Sequence, residues 1–342
     1  MSKKRRTGVK RKKVKEDDGK NMPSVRQGTD KVIAILCADI HLSPDPPRAR
    51  RGELKVTKIN DFGWFRAMKK PLDELTSLSS HYNSPILCAG DLFHHWKSEP
   101  VLVNFALKYL PQMYAIPGQH DLPLHNIDLI EKSAFWTLVL ANKIIPVLSE
   151  EPVMTENGLI LHGFPWGRKL EPLKKKIKGK QHIALVHDFF WRKGYTHPKA
   201  SKNNHMSKFK KLVKGYNAVV FGDNHMGFKI VLNDVPIWNS GTLMRRTQHD
   251  KDYKPRIGLL CASGNILTHY TNITNEKFTD KDEDFSGGTC RRPADDMKDV
   301  LHGLKEVNNQ VFDYAEAVEF LMDKYKVDHN IRKEMMEALD RG

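Results

Sequence analysis

The chain has 342 residues, 39% hydrophobic and 28% charged, enough for one large globular domain or two modest ones. Lys and Arg total 56 against 41 Asp and Glu, a formal charge of +15, which favours a phosphate-rich partner over a neutral metabolite. No run approaches the roughly 18 apolar residues of a membrane span, the basic N-terminus has no apolar signal core, and the four cysteines form no Cys-x-x-Cys pair, so a cytoplasmic protein without membrane, zinc-ribbon or disulfide chemistry is expected.

Residues 1–30 carry ten Lys or Arg within the first twenty positions and almost no large apolar side chains, and read as a disordered basic tail. From Lys31 the chain alternates buried strands with amphipathic helices. Strands are expected at 32–38, 85–89 and 112–116, and helices at 59–82 (interrupted by Pro71), 100–110 and 126–141. That β-α-β-α-β-α order predicts a parallel sheet with helices on its faces. Short strands follow at 144–148, 159–163, 183–187, 218–222, 228–233, 236–239, 256–261 and 266–270, with a hairpin across Asn233-Asp234. They predict a second, mixed sheet packed on the first. The expected organisation is a tail (1–30), one α/β domain (31–275), a polar linker (276–296) and an acidic helical region (297–342).

In open α/β sheets, chemistry gathers beyond the C-terminal strand ends. Here those ends read Asp39-Ile-His41, Gly90-Asp91-Leu-Phe-His94, Gly118-Gln119-His120-Asp121, His187-Asp188 and Gly222-Asp223-Asn224-His225. In extended chain, residues two apart share a side, which pairs Asp39 with His41 and Asp223 with His225. One such end would read as a turn or a helix cap. Five in one chain, each delivering Asp, His or an amide, are hard to explain by turns.

The order of these motifs, over roughly residues 31–245, resembles the calcineurin-like metallophosphoesterase superfamily. The phrase Gly90-Asp91-Leu92-Phe93-His94 resembles its recombination-nuclease branch, the nuclease subunits of SbcCD-type double-strand-break-repair complexes, of which phage-encoded members have similar length. The resemblance implies a metallophosphoesterase sandwich of two mixed β-sheets flanked by helices, and two divalent ions. The first would take Asp39, His41, Asp91 and His225, and the second Asp91, Gln119, His187 and Asp223. It further implies that His120 protonates the leaving oxygen or bonds the phosphate, that Asp121 fixes the His120 tautomer or caps the next helix, and that His94 contacts phosphate. Gln119 stands where the family usually has Asn, and Asp223 where it usually has His. Three oxygens and one nitrogen at the second site favour Mn²⁺, or else Mg²⁺, over Zn²⁺.

The charge is local. Residues 168–214 hold fifteen Lys or Arg and two acids, and bracket His187. Lys174, Lys175, Lys176, Lys208, Lys210 and Lys211 are expected to track a nucleic-acid backbone, with Phe189, Phe190, Trp191 and Tyr195 interleaved to stack on bases. Arg48, Arg50 and Arg51 would lie on the opposite rim, and Arg245 follows a late turn. A DNA exo- or endonuclease is therefore expected, against a phosphatase, a small-molecule phosphodiesterase or a scaffold that has lost catalysis. By the same resemblance the C-terminal helices would dock on a coiled-coil ATPase of SbcC type, and a homodimer is compatible with it.

Overall fold

Val32–Cys37 alternates its side chains so that Ala34 and Leu36 face one way and Ile35 and Cys37 the other, and all four are fully buried. A strand buried on both faces needs cover on both sides, and this one has it. The computed structural model describes residues 30–50, 63–148, 151–196, 200–247, 250–272, 276, 278, 322 and 332. The chain divides into two units, Met1–Asp280 and Lys281–Gly342. The expected N-terminal tail, Arg51, most of the linker and nearly all of the C-terminal helical region lie outside the described residues.

The first unit holds two mixed sheets of six strands each among the described residues. In the first, β1 (Val32–Cys37), β2 (Ile86–Cys88), β3 (Met113–Ala115) and β4 (Ile144–Pro146) are parallel neighbours in that order. The second is built around β6 (Ile160–Phe164), β7 (His182–His187) and β8 (Ala218–Gly222), also parallel. β5 (Val153–Met154) edges β6, and β9 (Phe228–Leu232) and β10 (Val235–Asn239) close the other side. The expected hairpin turn is present, with Asn233 and Asp234 both at positive φ. β11 (Arg256–Cys261) and β12 (Ile266–Tyr270) leave the second sheet and pair antiparallel on the open edge of β1. No sequence pattern distinguished that edge from the other sheet.

Ala34, Leu36, Leu87 and Ile116 from the first sheet meet Leu161, Ile183, Leu185, Val220 and Trp238 from the second in one buried layer. Each such aliphatic side chain contributes about 1.5–3 kcal/mol by leaving water. The other face of the first sheet lies under α1 (Gly63–Tyr82), α2 (Pro100–Tyr109) and α3 (Ala134–Leu140). α1 runs unbroken through Pro71, against the expected interruption. Pro71 sits on the buried stripe with Trp64, Met68, Leu72, Leu75 and Leu78, so packing outweighs the missing N–H. The expected helix over 126–141 is instead two pieces, because Ser133 turns extended and caps Trp136 N–H.

The outer face of the second sheet is covered by the connection between β7 and β8, through Phe190, Phe209, Val213 and Tyr216. His182 Nε2 accepts from Ile177 N–H, so its Nδ1 carries the proton and donates to His162 Nε2 at 2.9 Å. Both rings are held neutral. Burial and His182 push His162 down to about 4, and burial and Lys176 push His182 down. A folded pKa below the unfolded value of about 6.5 means that the unfolded chain binds more protons as pH falls. Stability should therefore be complete above pH 6.5 and fall towards pH 4. The half-exposed ring discounts the His162 share to about 1–2 kcal/mol. Urea unfolding between pH 4 and 7 checks this, and His162→Phe should flatten the slope. Among the described residues, no helix is long and apolar enough to cross a membrane.

Candidate metal centre

Parallel strands of both sheets end at one place. β1 delivers Asp39 and His41, β2 Asp91, β3 Gln119 and His120, β7 His187, and β8 Asp223 and His225. Beyond the strands the loops stay zipped, with Asp39 N–H on Gly90 O, His41 N–H on Asp91 O and Leu42 N–H on Leu92 O. Asp39, His41, Asp91 and Asp223 all adopt left-handed φ between 50° and 72°. Such backbone is disfavoured for side-chain-bearing residues and is retained where the surroundings over-determine it. Here it aims the side chains inward. Gly90, at φ 99°, provides the turn before Asp91.

The side chains converge. His41 Nε2 lies 3.0 Å from His225 Nε2 and 3.7 Å from Asp91 Oδ2, and His187 Nε2 lies 3.5 Å from the same oxygen. Gln119 Nε2 donates to Asp223 Oδ1 at 2.7 Å, and Asp223 N–H donates to Asp39 Oδ1. His187 Nδ1 must donate to Ala89 O, since a carbonyl only accepts, which leaves its Nε2 lone pair aimed at the Asp91 carboxylate. Two facing acceptors need a proton or a cation between them. Buried Asp39 Oδ2, Asp91 Oδ2, Gln119 Oε1 and His187 Nε2 all lack hydrogen-bond partners. Unsatisfied buried polar atoms are costly unless something binds them. The three groups of His and Asp with metal-compatible spacing among the described residues all fall here. One joins Asp39, His41 and His225, and another Asp39, Asp91 and His187, so this donor set fits two divalent ions.

The electrostatics agree. Burial pushes Asp39 well up, reinforced by Asp91 and Asp223 against the pull of His187. Burial opposes ionisation of Asp91 too, but His187 and His41 outweigh it and hold that carboxyl low. Burial would lower His187, and Asp91 overcomes it and pulls it up. His41 and His225 are pushed down by burial, which keeps them as neutral ligands. Carboxylates crowded together without water are stabilised by a cation.

His120 and His94 stand at the rim, rings stacked at 5.2 Å, with His120 edge-on to His41 at 5.0 Å. His120 Nδ1 donates to His94 O at 2.9 Å, so its tautomer is set by that carbonyl and not by Asp121, the partner that adjacency in sequence suggests. Asp121 accepts instead from the backbone N–H groups of Leu92, Phe93 and Gly118, tying the second and third strand ends together. Burial and Asp91 push its carboxyl up to about 7, against the three donors. Burial, Arg246 and His120 push the exposed-edged His94 down to about 4.

Several expected nucleic-acid contacts are placed elsewhere. Arg50 is buried, bonds Arg245 O, pairs with Glu276 and stacks against Trp64 and Phe278. Arg245 pairs with the same Glu276 and with Lys251 O. Both are internal struts, because a guanidinium held by carboxylate and aromatic faces is no longer presented to a ligand. Arg48 is exposed. Lys174, Lys175, Lys176, Lys208, Lys210 and Lys211 are exposed as expected, but Lys174–Lys176 flank His182 at the start of β7, about 17 Å of strand from His187. The interleaved aromatics are packing groups. Phe190 stacks on Phe221, Trp191 bonds Ser201 O and meets His205, and Arg192 covers Tyr195. Two supports escaped the sequence reading: Arg246, buried, donates to His41 O, and His125 donates to Gln119 O. An arginine after a turn carries no pattern that reveals a carbonyl two hundred residues away.

A family model of the calcineurin-like phosphoesterases matches residues 34–227, more than half of the chain. The chain belongs to that family. No curated protein sequence matches it. Solved structures similar to this phosphoesterase include TT1561 of Thermus thermophilus (13% identity, TM-score 0.40, 71% of this chain and all of that one). Others are calcineurin-like phosphoesterase YfkN of Bacillus subtilis (13%, 0.38, 87% and 97%) and an archaeal phosphodiesterase (11%, 0.34, 69% and 98%).

Divalent ions, when bound, polarise a phosphate and lower the pKa of water. The residues of the phosphoesterase do the rest. Asp39, His41, Asp91, Gln119, His187, Asp223 and His225 would hold the ions. His120, its Nδ1–H fixed on His94 O, turns Nε2 away from that bond, where it could exchange a proton with a leaving oxygen. Arg246 and the Asp121 clamp hold the backbone from which these side chains project.

Proposed function

We propose that this phosphoesterase is a DNA nuclease, working with Mn²⁺ or else Mg²⁺. The observation that carries the reading is the basic segment 168–214, which surrounds β7. At one end Asn204 bonds Asp188, next to His187, and at the other Leu173 and Lys214 pair beside His182. A chain reaching from His187 to the exposed lysines beside His182 would follow about 17 Å of β7, the span of about five nucleotides. A track of that length suits a polymer better than a single phosphoester. A rigidly held histidine proton donor also suits phosphodiesters, whose alkoxide leaving groups need protonation. The engagement of Phe190, Trp191 and Tyr195 with neighbouring side chains favours a second reading, a small-molecule phosphodiesterase, since these rings already have packing partners.

The test replaces Lys174, Lys175 and Lys176 together by Ala. Cleavage of labelled linear DNA should fall about tenfold at moderate salt, while hydrolysis of bis-p-nitrophenyl phosphate stays unchanged. Equal rates on DNA would remove the nucleic-acid reading. A coiled-coil ATPase partner is part of the proposal and falls to residues 297–342. Loss of ATPase binding on deleting 296–342 would support it, and retained binding would exclude it.

A further inference from the structure

The two positions at which the motifs depart from the family pattern, Gln119 and Asp223, lie 104 residues apart and touch each other. We propose that they form one interlocked unit of the second metal site, in which Asp223 sets which end of the Gln119 amide faces the ion. A glutamine amide presents an oxygen acceptor at one end and an N–H donor at the other. Only the oxygen can ligate a cation, so an unrestrained amide is the wrong way round part of the time. Here Nε2 donates to Asp223 Oδ1 at 2.7 Å, and Oε1 is buried without a partner. The flipped amide would set Oε1 against the Asp223 carboxylate, oxygen against oxygen, in a partly buried contact. The carboxylate thus holds the amide oxygen free.

Asp223 is itself fixed, at φ 72°, with its N–H on Asp39 Oδ1. At the other side, the Gln119 carbonyl accepts from His125 Nδ1. Both halves of the pair are therefore anchored by groups outside it. The two substitutions relative to the family are in this view a single change, since the longer amide has use only where a carboxylate receives its N–H.

The inference rests on the two-ion centre and not on the choice of substrate. Its test is a thermodynamic cycle read by calorimetric Mn²⁺ titration of metal-free protein, with the thermal midpoint of each metal-free variant as the folding control. Gln119→Ala should weaken the second ion about tenfold or more. In an Asp223→Ala background the same substitution should cost at least about twofold less than in the unaltered chain, because the amide is no longer oriented. Asp223→Asn offers an N–H as well as an oxygen and can pair with either end of the amide, so in that background too the Gln119→Ala penalty should shrink. It also carries the test if Asp223→Ala does not fold. A tenfold loss on adding Gln119→Ala to Asp223→Ala would show independent ligands and overturn the proposal. So would second-ion binding unaffected by Gln119→Ala. Binding of fewer than two ions by the unaltered chain would reject the two-ion centre itself.

Discussion

Asp91→Asn should abolish binding of both ions and lower phosphodiester hydrolysis about 10³-fold or more, with the fold intact. Asp91 Oδ2 lies within 3.7 Å of His41 Nε2 and 3.5 Å of His187 Nε2, so one oxygen faces ligands from both sheets. Its Oδ1 accepts His120 N–H at 3.0 Å, a bond that the Asn carbonyl can keep. The new NH₂ would face the two imidazole nitrogens and satisfy them without charge. The metal-free variant should thus be as stable as the unaltered protein, whereas the one carboxylate that faces donors from both sheets is gone. Several kcal/mol of transition-state stabilisation at 1.4 kcal/mol per decade sets the size of the effect. Metal titration, rate and thermal midpoint read the three consequences separately. His120→Ala provides the contrast: both ions retained, and a rate lowered about 10²- to 10⁴-fold. Weakened metal binding in His120→Ala would remove it from the role of proton donor.

Gly118→Ala should destabilise the protein by about 3 kcal/mol and disrupt the metal centre together with the fold. A Cβ at this position would lie 2.0 Å from Asp91 Oδ1 and 2.6 Å from His187 Nε2. Its φ of −93° is ordinary, so the effect is purely steric. Neither neighbour can give way. Asp91 is held by His120 N–H, and His187 by Ala89 O at 2.6 Å. Gly167→Ala is the control. Its φ is 85° but nothing lies within 4 Å of the added Cβ, so about 1 kcal/mol is expected. Urea unfolding of both variants checks the difference, and equal midpoints would show that the strand end can relax around an added methyl.

Much of the fold was legible because its signals are local. Parallel strands of six residues or fewer, buried on both faces, read as continuous apolar runs such as VIAILC and AVVFG. The candidate metal-binding residues were legible because each follows such a run within a few positions, where the strand ends and the backbone turns. What failed was whatever depended on a distant neighbour. Pro71 reads as a break until the packing of α1 on the first sheet is known. Arg50 and Arg245 read as ligand-binding cations until Glu276 is found between them. Asp121 reads as the partner of His120 by adjacency, yet three backbone N–H groups from two strand ends take its carboxylate.

The basic segment shows the division most clearly. The sequence alone determined that charge and catalytic motif share residues 168–214, because net charge is additive along a chain. Only the tertiary structure decided where that charge points. A six-residue strand carries its two ends about 17 Å apart, so Lys174–Lys176 and His187 are neighbours in sequence and opposite ends in space. The same geometry brought Gln119 and Asp223 into contact across 104 residues. Residue types set what chemistry is available, and the pairing of strands from two sheets sets which atoms meet to perform it.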